Sequence, residues 1–180
     1  IKLGGTDVKQ SDFIAAMERI APRELALGFD NPGLLIEPDH DEISRVLVAL
    51  DCTRAVAEEA AAWGADLVLT HHPLFFRPVQ HMTYADPETA SACLLLRNGL
   101  GLFAAHSNLD AARGGVNDTR CELLGVEDAI PFDEGVGRVG TLKTKVSIRK
   151  FYDDVERVLK TKAQFAGDPD AQVCRVAVLG

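Results

Sequence analysis

A chain of 180 residues with 47% hydrophobic residues is long enough to bury one core, or one core and a small appendage. Its net charge of −8 argues against a nucleic-acid-binding protein, because there is no surplus of basic residues to neutralise phosphates. No apolar run approaches the length that spans a bilayer, and residues 1–10 lack the apolar stretch of a signal peptide, so we expect a cytoplasmic protein. The four cysteines have no metal-ligand spacing and are expected to be reduced thiols.

Three continuous apolar runs in residues 1–130 predict strands that are covered on both faces. Helices are expected between them, because Thr53 and Asp86 are typical N-caps and Gly64 is a typical helix stop. This alternation implies parallel strands joined by right-handed crossovers, so we predict the α/β class, with a layered sheet and helices on both faces. The predicted strands are 46–50, 67–69 and 100–105, and the predicted helices are 11–20 (with Ser11 as its N-cap), 53–64, 86–98 and 117–124.

Residues 131–180 are predicted to begin a second α/β half. The glycine-rich stretch Glu134–Gly140 is interpreted as a linker. Beyond it, residues 141–146 and 173–179 have strand patterns, and Ser147 is a typical N-cap for a helix between them. The sequence stops one residue after the last strand pattern, so we expect this second half to be incomplete and to need further chain to bury its faces.

Side chains that could bind a metal follow all three predicted strands. Asp51 comes directly after the first strand, His71 and His72 come after the second, and Asp110 lies a few residues after the third. Ligands of open α/β sheets bind beyond the carboxyl ends of the strands, so these side chains are expected at one rim. Adjacent residues point in different directions, and His71 and His72 would therefore each serve one member of a metal pair.

Each of these residues also has a structural interpretation. A histidine at a strand end is commonly a hydrogen-bonded structural residue, and an isolated histidine pair is weak evidence for a metal. Asp51 could cap the following helix, which we favour slightly over ligation. His106 could be a ligand, a core residue or a hydrogen-bond partner of a ligand, and we favour the last. The residues do not choose among zinc, iron, manganese and nickel.

Several segments of the chain resemble, in order, the NGG-one-interacting-factor-three family, also called dinuclear-metal-centre hexameric proteins. Members are often named as homologues of a type 2 GTP cyclohydrolase 1. The similarity covers nearly the whole chain, and its combination of THHPLFF with HSNLDAARGGVND is far more specific than the histidine pair alone. The matching segments are 29–34 (FDNPGL), 48–53 (VALDCT), 64–78 (GADLVLTHHPLFFRP), 105–118 (AHSNLDAARGGVND), 135–140 (GVGRVG) and 167–170, the last followed by VCRVAVLG.

The resemblance implies two similar α/β halves, assembly into a toroidal homohexamer, and a site that holds two divalent metal ions. It implies that His71 and His72 each bind one ion and that Asp110 is a further ligand. The family supplies two more ligands near its C-terminus, a histidine and a glutamate four residues later. No histidine follows His106 here, so we expect a truncated chain whose site binds its ions weakly or is empty.

We therefore expect a metal-dependent hydrolase that resembles the type 2 GTP cyclohydrolase 1 homologues and acts on a small, nucleotide-type substrate. Its metal ions would generate hydroxide and polarise the substrate, and no side chain is assigned as catalytic. The alternative is a non-catalytic regulatory or partner-binding metal protein, as the family name suggests. A plain α/β domain without metal is the third hypothesis.

Overall fold

The computed structural model describes residues 1–180, which divide into two units, Ile1–Leu109 and Asp110–Gly180. The first unit contains strands β1 (Lys2–Lys9), β2 (Gly33–Ile36), β3 (Glu42–Ala49), β4 (Leu67–Thr70) and β5 (Gly101–Ala104), and helices α1 (Gln10–Ile20), α2 (Arg54–Trp63) and α3 (Pro87–Arg97). Helix α4 (Ser107–Ala111) spans the boundary between the units. The second unit contains α5 (Val116–Leu124), β6 (Val126–Phe132), β7 (Gly137–Ser147), α6 (Ile148–Leu159) and β8 (Gln172–Val178).

The first unit is built on a five-stranded sheet with the order β1-β3-β4-β5-β2. The three strands predicted from apolar runs, β3, β4 and β5, are parallel neighbours. The two edge strands are antiparallel to their neighbours, β1 to β3 and β2 to β5. The parallel centre, which places the ends of three strands at one rim, confirms the predicted α/β class. Strand β1 is not predicted, because all of its residues are exposed and it has no buried face to leave an apolar pattern.

Helices cover both faces of this sheet, as the sequence predicts. Neighbouring residues of β4 point to opposite faces, and they belong to different cores. Val68 packs in a cluster with Leu95 of α3 and with residues of α2. Leu67 packs on the other side with Phe103 and residues of α1, where the ring of Phe13 lies edge-on to that of Phe103 with centroids 5.8 Å apart. The strand ends that carry the histidines are therefore held by a core on each side.

Helix boundaries follow the predicted caps with one exception. Thr53 accepts a hydrogen bond from the backbone N–H three residues later at 3.3 Å, and Asp86 does the same at 2.9 Å. Gly64 ends α2 in the left-handed region, at φ +69°. Ser11 is wrong as an N-cap, because α1 begins one residue earlier and its N-cap, Lys9, makes no side-chain capping bond. None of the helices combines the length and the apolar character that crossing a membrane requires.

The second unit contains a three-stranded antiparallel sheet with the order β6-β7-β8, whose core includes Cys121 of α5 and Phe151 of α6. The predicted linker at Glu134–Gly140 is wrong, because residues 133–136 form a turn and β7 begins at residue 137. Gly140 is needed inside this strand, since a Cβ there would lie 2.4 Å from the backbone oxygen of Glu127. The predicted domain boundary after residue 130 falls within β6 and stays a prediction.

Candidate metal centre

Three histidines of the first unit lie together beyond the carboxyl ends of two parallel strands. His71 and His72 follow β4 directly, and His106 follows β5 after one intervening residue. One ring nitrogen from each lies within 4.8 Å of one from each of the others. The ring centroids are 5.1 to 5.6 Å apart, and all three residues are partly buried. This group, the histidine cluster below, could hold a metal ion.

His71 is oriented by a backbone carbonyl. Its Nδ1 lies 2.8 Å from the oxygen of Ala105. Ala105 is itself fixed, because its N–H donates to the oxygen of Thr70 at 2.9 Å, which continues the β4–β5 pairing past the strand ends. A ring nitrogen that faces a carbonyl oxygen carries the proton. The lone pair of the neutral His71 ring is therefore on Nε2.

His72 is oriented by a carboxylate. Its Nδ1 lies 2.7 Å from Oδ1 of Asp51, and its backbone N–H donates to the oxygen of Leu50 at 3.0 Å. Asp51 does not cap α2, because Thr53 holds that position. The side chains of His72 and Asp51 are 42% and 52% exposed, so solvent screens their attraction and the pair contributes little to stability. Its main effect is to fix the direction of the His72 ring.

His106 is oriented by a fully buried carboxylate, that of Asp30, whose Oδ1 lies 2.9 Å from His106 Nδ1. Asp30 also accepts hydrogen bonds from the N–H groups of Asn31 at 2.7 Å and Ser107 at 3.0 Å, and from the Ser107 hydroxyl. Burial by itself would raise the pKa of Asp30, but the hydrogen bonds from Ser107, His106 and Asn31 bring this pKa below its ordinary value. The carboxylate thus stays charged and keeps the proton of His106 on Nδ1.

All three rings therefore follow one scheme, in which Nδ1 donates to an oxygen of the first unit and the lone pair lies on Nε2. Histidines that bind metals in proteins almost always donate their other ring N–H to a carboxylate or carbonyl oxygen. Three neutral imidazoles suit zinc, iron or nickel, and such a set commonly leaves a coordination position for water. The donor set and its orienting oxygens thus fit a divalent transition metal.

The structure brings two of the predicted ligands, His71 and His72, into one cluster. His106, for which the sequence leaves three roles open, occupies a place in the cluster equivalent to theirs. Asp51 contacts His72 through a hydrogen bond. Asp110 lies in α4, is 7% exposed, and is the first residue of the second unit, and its ligation stays a prediction.

Two residues that shape this site are missed by sequence reasoning, Asp30 and Ser107. Asp30 reaches His106 across 76 positions of the chain, and no local pattern reveals such a contact. Ser107 also holds the segment that precedes Asp30, because its hydroxyl accepts a hydrogen bond from the backbone N–H of Leu27 at 3.0 Å. The one signal in the sequence is that Asp30 lies inside the FDNPGL segment.

Comparisons of the sequence and of the fold with known proteins point to one family. The family model described as Duf34/NIF3 (NGG1p interacting factor 3) matches residues 8–180. A relative from Clostridium perfringens, named GTP cyclohydrolase 1 type 2 homolog, is 36% identical over 180 residues, which are 96% of this chain and 69% of that protein. A relative of the same name from Lactococcus lactis is 38% identical over 144 residues, or 78% of this chain and 56% of that protein. The solved structure of a Bacillus cereus protein related to NIF3 superposes with a TM-score of 0.89 at 20% sequence identity. The match covers 98% of this chain and 77% of the Bacillus cereus chain, so the two share a fold.

Proposed function

This chain belongs to the Duf34/NIF3 family, as its motifs predict, and on that premise we propose that it is a metal-dependent hydrolase of the GTP cyclohydrolase 1 type 2-like kind. The observation that carries the proposal is the histidine cluster, in which ring nitrogens from three residues lie within 4.8 Å of one another. Histidines with only a structural role would not need to converge, because each ring already has its own oxygen partner at Nδ1. Convergence of ring nitrogens from several residues is what a cation requires.

The proposed centre holds two divalent ions, with His71 and His72 on different ions. His106 is proposed as a further ligand because its ring lies beside both. Asp110 is proposed as the carboxylate ligand, since it follows His106 by four residues through α4 and is buried. When bound, such ions lower the pKa of a bound water and polarise a carbonyl or phosphoryl oxygen. Asp30 and Asp51 hold the rings of His106 and His72, respectively, in a fixed direction.

A nucleotide-type small molecule is proposed as the substrate class, because the name of the relatives refers to GTP. The remaining support is general, in that a metal pair of this kind serves hydrolysis at carbon and at phosphorus. The assay is therefore chromatographic separation of products from GTP and related nucleotides after incubation with the zinc-, iron-, manganese- or nickel-loaded chain. Turnover that is lost with a chelator and restored by one of these metals would support the proposal.

Elemental analysis of variants tests the ligands directly. Because the incomplete ligand set is expected to bind weakly, the loading uses saturating zinc. Under that condition we expect the unmodified chain to approach about two ions per chain, whereas H71A, H72A, H106A and D110A each lose about one ion or more. His81→Ala is the matched control, because His81 is exposed and lies outside the cluster. Retention of full metal content by H71A, H72A and H106A would overturn the proposed centre.

A second candidate function is a non-catalytic regulatory or partner-binding role, in which the metal is structural. The description of the matched family favours it, because that description names an interaction with another protein. The two candidates differ in one measurement. A metal-loaded chain whose melting temperature falls on metal removal, but which turns over no nucleotide with any of the four metals, would favour the binding role.

We also propose that the protein acts in the cytoplasm as a homo-oligomer, a hexamer in the family arrangement that its motifs resemble. Light scattering after size-exclusion chromatography gives the mass in solution, to be compared with multiples of the 19.4 kDa chain. Six copies would support the proposal, and a monomer at micromolar concentration would overturn it for this chain.

A further inference from the structure

A cavity of about 380 Å³ lies beside the histidine cluster in the first unit. It adjoins the cluster at two residues, Asp30, which orients His106, and Phe76, whose ring centroid is 5.4 Å from that of His106. Its volume is in the lower part of the range of small-molecule sites, roughly 300–1,000 Å³. We call it the aromatic pocket, and its walls are the segments Phe29–Asn31 and Phe75–Val79.

The walls of the aromatic pocket present aromatic side chains to solvent. Phe29 is 70% exposed and Phe76 is 48% exposed, although phenylalanine is among the residues most often buried. Phe75 contributes a third, partly buried ring. Aromatic side chains on a concave surface offer faces and edges for a flat ring, and such pairs gain affinity beyond the area they bury.

The pocket offers a ligand one cationic group, the guanidinium of Arg77. Its one basic residue, Arg77, is exposed, and its guanidinium has no hydrogen-bond or ion-pair partner in the chain. Its one acidic residue, Asp30, already accepts hydrogen bonds from His106, Asn31 and Ser107. In a chain with a net charge of −8, this positively charged side chain favours the binding of an anionic ligand at the pocket.

The pocket is formed before any ligand binds. The side-chain amide of Asn31 donates to the backbone oxygen of Phe75 at 2.8 Å, which ties the two wall segments together. The buried Asp30 anchors the first segment to Ser107, and Pro78 restricts the backbone of the second. A ligand would therefore not need to order these segments, which reduces the loss of entropy on binding.

We propose that the aromatic pocket binds a planar aromatic or heterocyclic compound that carries an anionic group. The ring contacts Phe29 and Phe76, and the anionic group pairs with Arg77. The inference deepens the proposed function by naming the pocket and the side chains that bind the substrate's ring and anionic group, and only the placement of the reacting group near the histidine cluster rests on that function. Binding in the pocket itself requires no metal.

Nuclear magnetic resonance titrations of the metal-free, 180-residue chain test the inference with three probes. Phenyl phosphate supplies both the ring and the charge, cyclohexyl phosphate replaces the aromatic ring, and inorganic phosphate has no ring. We expect saturable binding of phenyl phosphate, about fivefold tighter than that of either other probe. Absence of saturation, or equal affinity for phenyl and cyclohexyl phosphate, would overturn the proposal.

Variants locate the binding. R77Q is expected to weaken phenyl phosphate binding about tenfold, and F29L and F76L about fivefold each. Phe165→Leu is the matched control for Phe76, because both side chains are 48% exposed and Phe165 lies in the second unit. Arg175→Gln is the control for Arg77, because Arg175 is also exposed. Equal weakening by the controls would place the binding elsewhere and overturn the proposal.

The failure of this inference can be told apart from failure of the metal centre. If H71A and H72A lose no zinc but R77Q and F76L weaken phenyl phosphate binding, the pocket stands and the proposed centre does not. If H71A and H72A lose zinc but R77Q binds phenyl phosphate as the unmodified chain does, the centre stands and the pocket assignment is wrong.

Discussion

Two polar networks, one in each unit, use their hydrogen-bonding groups in opposite ways. In the second unit, Arg138 is 4% exposed, and its side chain donates to Asp118 and to four backbone oxygens. In the first unit, each ring of the histidine cluster donates from Nδ1 to one oxygen and carries its lone pair on Nε2. The oxygens that accept from Arg138 are those of Gly135 at 2.7 Å, Gly137 at 3.0 Å, Ala111 at 2.8 Å and Ala112 at 3.2 Å.

The difference separates a structural network from one built for a ligand. The guanidinium of Arg138 has five N–H donors, and its five partners match that number. Nothing in that network offers a group to another molecule, and its effect is to join a helix end, a turn and a strand. The histidine cluster instead brings three ring nitrogens to within 4.8 Å of one another, an arrangement that a bound cation would stabilise.

The strongest way to break this comparison is to remove Arg138. R138M leaves Asp118 and four carbonyl groups without their donor, and we expect the free energy of unfolding to fall by about 3–5 kcal/mol. Burial by itself would raise the pKa of Asp118, whereas its hydrogen bonds from Gly114 and Arg138 lower it. This carboxylate is therefore charged, and of the five acceptors it is the one whose loss of Arg138 costs most. Urea denaturation gives the change. Arg175→Met is the control, and a loss below about 1 kcal/mol for R138M would show that the network is not structural.

Removing the charge of Asp30 should affect both stability and metal binding. In D30N an amide N–H₂ group replaces one carboxylate oxygen, so the donors that faced this oxygen lose their acceptor. We expect a loss of about 2 kcal/mol in the free energy of unfolding. Because the ring of His106 loses its orienting carboxylate, metal affinity should also fall roughly 10- to 100-fold. Denaturation and competition with a coloured chelator measure the two effects. Unchanged metal affinity in a folded D30N would mean that His106 needs no orientation or is not a ligand.

The D51N variant should separate the effect of Asp51 on the orientation of the His72 ring from its effect on the stability of the fold. Since the Asp51–His72 pair is about half exposed, D51N is expected to change the free energy of unfolding by less than about 0.5 kcal/mol. Its effect on metal affinity should still be roughly tenfold, because the amide oxygen of asparagine is a weaker acceptor for the His72 ring N–H than the carboxylate that sets the ring's direction. Asp41→Asn is the control, since Asp41 is an exposed residue with no side-chain contact to the cluster. Equal metal affinity in D51N and D41N would contradict the prediction.

The central fold could be predicted because its signals are local. Strand β5, residues 67–69 of β4 and residues 46–49 of β3 are apolar on both faces, and Thr53 and Asp86 cap their helices within three residues of themselves. The edge strand β1 could not be predicted, since it is stabilised by pairing with β3 and buries no side chain. Strand β7 was predicted only in its second half, at residues 141–146. Its first residues were interpreted as a linker because they include glycines, and one of these, Gly140, is required by close packing.

The site could be predicted only in part for a similar reason. His71 and His72 lie at the end of a strand, where open α/β sheets place their ligands, and this position can be read from the chain. The residues that orient the rings cannot, because Asp30 and Asp51 lie 76 and 21 positions from the histidines they contact. The wall of the aromatic pocket likewise combines segments joined by a bond between residues 44 positions apart.

The smallest expected effect concerns His40, a histidine that uses both ring nitrogens. Its Nδ1 lies 2.7 Å from Asp39 and its Nε2 lies 3.2 Å from Asp66. The hydrogen bond to Asp39, opposed by partial burial and assisted by Asp66, raises the pKa of His40 above 6.5. A raised folded-state pKa adds stability that is complete below the unfolded pKa and is lost as the pH rises through the folded one.

His40→Gln should therefore reduce the melting temperature below pH 6.5, and the difference from the unmodified chain should shrink as the pH rises above the raised pKa. The change is expected to be small, because the side chain is 40% exposed. Metal content should not change, since both nitrogens of His40 are engaged by carboxylates and none is directed to the cluster. A difference in melting temperature that grows with pH, or a loss of metal in H40Q, would contradict the distinction between engaged and ligating imidazoles.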